Sequence, residues 1–217
     1  MALPQAGRGL DMSGDTVITG LIGANAVVFG MWQLCATERA HAQLMAHFTC
    51  SSDGLLHHGR LHTLVTSAYS HFGWAHFGTN MAVLYFFGCE AARVVGGARF
   101  FALYNVAGAV GCAAQIAYVN LWPHADDGSD RRKTPMLGAS AAVNAAVILS
   151  CCLFPSSTVL LFFFVPMPAA LLGALFVAKD VLAAVDGSGS VANAAHLGGA
   201  LCGGVYWLRI RRLLVRR

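Results

Sequence analysis

At 217 residues, 57% hydrophobic and only 11% charged, the chain falls well below the roughly one-quarter charged content of a soluble domain; this excludes a water-solvated globule and indicates one membrane-embedded unit. The net charge of +4 does not make it a nucleic-acid binder, because Arg209, Arg211, Arg212, Arg216 and Arg217 directly follow an apolar run, as basic residues do where a span ends on the inner side of a membrane. Seven cysteines lie mostly inside apolar stretches with no CxxC pair, so they read as small buried hydrophobes and not as a disulfide framework or a zinc site.

Residues 1–15 form a short polar tail whose Arg8, Asp11 and Asp15 suit neither a mitochondrial transit peptide nor a secretory signal. A membrane helix takes about 20 mostly apolar residues, and windows at 16–36, 71–92, 99–122, 136–154, 157–178 and 191–208 meet that need. Residues 37–66 mix Glu38, Arg39, Asp53, Arg60 and five histidines (His41, His47, His57, His58, His62) with apolar side chains, which predicts helical pieces at the membrane interface. Residues 123–135, with Asp126, Asp127, Asp130, Arg131, Arg132 and Lys133, form a solvated loop. The fourth window is rich in Ala and Gly and closes at Pro155, while the fifth contains Pro166 and Pro168 and is expected to be kinked or mobile. A polar loop is expected at 179–190. The expected fold class is all-α: a polytopic membrane protein with a six-transmembrane-helix core over 16–208 and a basic tail over 209–217. Six spans put both termini on the arginine-rich side and the 37–66, 123–135 and 179–190 loops on the opposite face.

Polar groups at membrane depth are costly and point to function. Four stand out: His76 and Asn80 in the second window, Ser140 in the fourth and His196 in the sixth. These windows all start from the same face, and each polar group lies a few residues inside, roughly 5–10 Å deep at 1.5 Å per residue. His76 and Asn80 are four apart and share one helical face. Gly199 and Gly203 follow on the His196 side of the sixth window, small enough to admit a neighbouring helix. Around Ser140 the fourth window offers Gly138, Ala139, Ala141 and Ala142. Taken singly, Ser140 reads as a hydroxyl bonded to its own helix, and the histidines and Asn80 as interhelical contacts. Sharing one face and one depth, they predict a single hydrated pocket.

That set suits nucleophilic catalysis. A serine hydroxyl is a weak nucleophile until a base takes its proton, and histidine titrates in the range a general base needs. Amide hydrolysis also requires donors for the developing oxyanion; Asn80, His76 and the Ser140 amide are the candidates. The fourth and sixth windows hold no Asp or Glu, so a Ser–His dyad is expected in place of a triad.

The stretch His71-Phe72-Gly73-Trp74-Ala75-His76-Phe77-Gly78-Thr79-Asn80, the Gly138-Ala139-Ser140-Ala141 motif, and Ala195-His196-Leu197-Gly198-Gly199 with Gly203 occur in this order. Together with Phe87-Gly88, Glu90 and Gly96-Gly97, they resemble the signatures of the rhomboid intramembrane serine proteases over about residues 60–208. The resemblance implies Ser140 as nucleophile, His196 as general base, His76, Asn80 and the Ser140 amide as the oxyanion site, and His71 as a supporting residue. It also implies cleavage of transmembrane protein substrates within the lipid bilayer, with no cofactor or metal, the fifth span as a lateral gate and the first loop as a wedge in the membrane. Two positions depart from the family pattern: Ala141 stands where GxSG ends in glycine, and His62-Thr63 stand where Trp-Arg is common. His47-Phe48-Thr49, Ser70-His71-Phe72, Val165-Pro166-Met167 and Ala194-Ala195-His196 resemble the mitochondrial presenilin-associated branch. That branch typically adds a span before the core, which is not seen here, and it implies the inner mitochondrial membrane. Two other classes fit the composition. One is a catalytically inactive rhomboid-like protein that binds membrane clients, prompted by Ala141. The other is a transporter or haem protein using His76 and His196.

Overall fold

The computed structural model describes residues 13–122, 130–161, 164–185 and 193–215. Most of the N-terminal tail, Asp126 and Asp127 of the polar loop, the end of the 179–190 loop, and Arg216 and Arg217 lie outside the described residues.

Helix α1 (Gly14–Gln33) starts at Ser13, whose hydroxyl accepts the Thr16 amide as an N-cap. The interfacial stretch folds into short helices α2 (Glu38–Phe48), α3 (Ser52–Leu56) and α4 (Thr63–Thr66). Helix α5 (Trp74–Val83) passes through one widened, π-helical turn at Leu84–Gly88 into α6 (Cys89–Val95). Gly96, at φ 91°, then reverses the chain into α7 (Gly97–Leu121); a left-handed φ of this kind is readily accessible only to glycine. Helices α8 (Ser140–Leu153), α9 (Ala169–Val185) and α10 (Asn193–Val215) complete the bundle. Among the described residues, α1 and α7 are each long and apolar enough to cross a membrane, and α8 is a shorter apolar helix.

Helices α7, α8 and α10 pack on one another, with Ala141, Ala142, Ala145 and Ala146 of α8 buried. Arg99, near the start of α7, shares a groove with Arg209, near the end of α10, whereas Gly111 meets Ala195. The two helices therefore run antiparallel. Outward-facing Phe101, Val106, Val110, Leu201, Val205 and Leu208 are exposed to the surroundings, an apolar surface too extensive for a protein facing water.

The expected all-α bundle and its windows need four corrections. The fifth window is not one helix. Strands β1 (Thr158–Leu161) and β2 (Val165–Pro168) pair antiparallel, with Thr158 opposite Pro168. Pro166 and Pro168 lack amide hydrogens and press their preceding residues into extended backbone, while Thr158, Val159 and Val165 favour strands. Consequently α9 starts only at Ala169 and carries Lys179 and Asp180 within the helix, where a loop was expected. The fourth helix starts at Ser140, later than 136, because Met136 forms a backbone bridge with Cys50 (2.8 and 2.7 Å). Finally, the basic segment after 208 continues α10 as far as Val215, since arginine is a good helix former.

Buried polar contacts fix the segment that leads into α5. Asn25 of α1 donates to the Tyr104 hydroxyl of α7 (3.0 Å), which donates to the Ala68 carbonyl (2.9 Å). The Trp32 indole donates to the buried Ser70 (2.7 Å). Such contacts resist slippage, because a buried polar group that loses its partner costs about 1–3 kcal/mol.

Candidate active site

Ser140 is the first residue of α8 and His196 lies one turn into α10. Their proximity follows from the small residues between the helices. A Cβ built on Gly199 would fall 2.6 Å from the Ala141 carbonyl carbon, and one on Gly203 would fall 3.0 Å from the Ala145 Cα. With backbones that close, His196 Nε2 stands 2.9 Å from Ser140 Oγ. The start of α10 is held separately by the buried Gln115 of α7, whose side-chain oxygen accepts the Ala195 amide (3.2 Å).

Gly138 shapes the approach to Ser140. Its φ is 127°, and a Cβ there would lie 2.7 Å from His76 Cε1. Glycine is thus required both by the backbone and by the ring packed against it. The Gly138 amide donates to the Ser67 carbonyl (2.9 Å), and the next amide, of Ala139, donates to His71 Nε2 (3.3 Å). That contact assigns the His71 proton to Nδ1. His71 is fully buried, with its ring edge-on to His76 at 4.9 Å. His71 therefore braces the loop before Ser140 and the His76 ring at once.

A cavity of about 340 Å³ opens over these groups, lined by Ser67, Phe72, His76, Gly138, Ser140 and Ala195 among others. Of the residues singled out in the sequence, Ser140, His196, His76, Gly138 and His71 converge here. Asn80 does not line the cavity; its amide donates to the His76 carbonyl of its own helix (2.8 Å). His76 and Ser140, by contrast, both line the cavity.

One group was missed in the sequence. Asp180 of α9 is 2% exposed, and its Oδ1 lies 3.2 Å from His196 Nδ1. The expected dyad thus has an acidic neighbour, supplied by the fifth window and not by the fourth or sixth. The available signal was a lone Lys179-Asp180 pair inside the apolar run from Ala169 to Val185. Assigning the pair to a loop hid it.

Residues 58–212, which include every group just described, match the family model for the Rhomboid domain. The mitochondrial RHOMBOID-like protein 12 of Arabidopsis thaliana is 40% identical over 208 residues, covering 93% of this chain and 60% of that protein. The mitochondrial Rhomboid protein 1 of Saccharomyces cerevisiae is 32% identical (88% and 52% covered). The mitochondrial presenilin-associated rhomboid-like protein of Homo sapiens is 28% identical (88% and 47% covered). The chain spans about half to three-fifths of the length of these curated relatives. With a domain match running from before the His71 loop into the last turn of α10, and mitochondrial rhomboids as relatives along most of its length, the chain belongs to the rhomboid family.

Proposed function

We propose that the chain is an intramembrane serine endopeptidase that cuts transmembrane segments of other membrane proteins. The carrying observation is the 2.9 Å contact between His196 Nε2 and Ser140 Oγ beside an open cavity. Ser140 Oγ attacks the scissile carbonyl carbon as His196 Nε2 takes its proton. The resulting oxyanion lies near the Ser140 amide and the His76 ring. His196 then protonates the leaving amine, and water hydrolyses the acyl-enzyme by the same proton relay in reverse. The Ser140–His196 contact favours this chemistry over a non-catalytic client binder.

Six spans are part of the proposal: α1, α5 with α6, α7, α8, α9 and α10. Arg209 lies thirteen residues beyond His196 on α10, about 20 Å at 1.5 Å per residue. With Arg99 and Arg209 at one headgroup level of a roughly 30 Å hydrocarbon layer, the site sits about 10 Å beneath the opposite boundary. The mitochondrial relatives support a mitochondrial membrane, which we assign to the inner one. The test is cleavage of a reporter transmembrane substrate by purified protein in liposomes. Ser140→Ala is expected to abolish it with the fold intact, and continued cleavage by that variant would remove Ser140 from the chemistry.

A further inference from the structure

We infer that Asp180 is the positioning residue for His196, and that α9 thereby controls whether the base is aimed at Ser140. This rests on the proposal that Ser140 and His196 form the hydrolytic pair. The two contacts involve opposite nitrogens of one ring: Nδ1 lies 3.2 Å from Asp180 Oδ1 and Nε2 lies 2.9 Å from Ser140 Oγ. A carboxylate oxygen accepts, so Nδ1 donates and holds the proton, leaving the Nε2 lone pair for the serine hydroxyl. The other tautomer would set a lone pair against the carboxylate and an N–H against Ser140. When Nε2 takes the serine proton, the imidazolium lies beside the negative oxygen that orients it.

Lys179 alone does not account for the position of Asp180. Its Nζ lies 3.0 Å from the same oxygen, but the lysine side chain is 65% exposed. A water-screened pair of that kind contributes little, and it would form as readily with the carboxylate at the surface. Burying a carboxylate calls for an internal donor, and the His196 ring, only 19% exposed, presents Nδ1 to it.

The three groups come from three helices with different attachments. Helices α8 and α10 meet backbone to backbone at Gly199 and Gly203, which holds Ser140 and His196 together. Helix α9 rests on α10, on α8 through Gly173 against Cys151, and on the end of α7 through the Tyr118 hydroxyl, which donates to the Ala184 carbonyl (3.3 Å). Its outer residues Leu171, Leu175, Leu182 and Val185 are exposed. Displacing α9 outward would withdraw Asp180 from His196 while the Ser140–His196 contact stayed in place. The base is therefore fully oriented only with α9 seated.

Asp180→Asn and Asp180→Glu in the full chain, reconstituted in liposomes, test this. Asp180→Asn is expected to lower kcat by roughly 10²- to 10⁴-fold, with KM and Tm near those of the parent, and Asp180→Glu is expected to recover at least about tenfold of that loss. Nitrogen NMR of histidine-labelled protein, with His196→Gln supplying the assignment, is expected to show His196 protonated on Nδ1. Cleavage by Asp180→Asn within about threefold of the parent, or a His196 protonated on Nε2, would overturn the inference. Should Asp180→Asn fail to fold, the spectrum of the unsubstituted protein decides alone. Loss of cleavage in Ser140→Ala with full cleavage in Asp180→Asn would refute the role of Asp180 and leave the protease assignment standing, whereas cleavage by Ser140→Ala would refute the assignment itself.

Discussion

The Ala141 methyl group lies against Gly111 of α7: a Cβ built on Gly111 would stand 2.5 Å from the Ala141 Cβ and 2.8 Å from the Ala195 carbonyl oxygen. Where the family motif ends in glycine, this chain carries a methyl group, and the missing side chain is found on the facing helix. Ala141 is 6% exposed, so the methyl is packed and leaves the Ser140 backbone where His196 can reach it.

Exchanging the two partners is expected to give unequal results. Ala141→Gly should retain cleavage and lose about 1 kcal/mol, the helix-propensity difference between the two residues. Gly111→Ala should cost about 1–3 kcal/mol through overpacking and lower cleavage, because the new methyl also meets the start of α10. Thermal melts and reporter cleavage, measured in parallel, would distinguish the two.

Gly199→Leu should separate α10 from α8 at the level of His196. Its first carbon meets the Ala141 carbonyl, a backbone group that cannot swing aside. Cleavage and serine-directed fluorophosphonate labelling are expected to fall together with Tm, and unchanged labelling would mean that the helices need not touch for Ser140 to be activated.

Gly138→Ala combines left-handed strain with a clash against His76. A strained non-glycine residue costs about 1–3 kcal/mol. The expected result is a modest loss of Tm and a larger loss of kcat, since His76 must turn away from the cavity. Equal melting temperature and equal kcat would show that the loop tolerates a side chain there.

His76→Ala and Asn80→Ala compare the two proposed oxyanion donors. His76 lines the cavity, whereas Asn80 is bonded to its own helix. His76→Ala is expected to lower kcat by about 10²- to 10³-fold, the scale of one lost oxyanion donor. Asn80→Ala should lower it less. The reverse order would make Asn80 the principal oxyanion donor, through the amide hydrogen not used by the His76 carbonyl.

Far from the site, Ser150 donates to Glu90 (2.6 Å) between α8 and α6. Ser150→Ala should lower stability by about 1–3 kcal/mol by leaving the carboxyl without that donor, with kcat of the folded fraction unchanged.

Much of the site was legible in the sequence because its cost is local. Ser140, His76 and His196 stand out wherever an apolar run is read, since polar groups at membrane depth need a purpose. Gly199 and Gly203 carry their packing role in their spacing. Asp180 was not legible. Its partner lies sixteen residues later, on the next helix, and a Lys-Asp pair near the end of an apolar run looks like the start of a solvated loop. Placing it correctly required knowing that two prolines and a strand pair delay α9, which moves the pair inside the helix.

By itself, the amino-acid sequence determined the apolar helices, the helix-breaking prolines, the glycines that admit close neighbours, and which polar groups would be expensive to bury. Only the tertiary structure decided which of those groups meet. It turned Asn80 toward its own backbone, compensated the Ala141 methyl with Gly111, and set Asp180 behind His196. The physical reason is range: propensity and periodicity act over one or two helical turns, whereas a hydrogen bond between helices depends on an ångström-scale fit that no single segment contains.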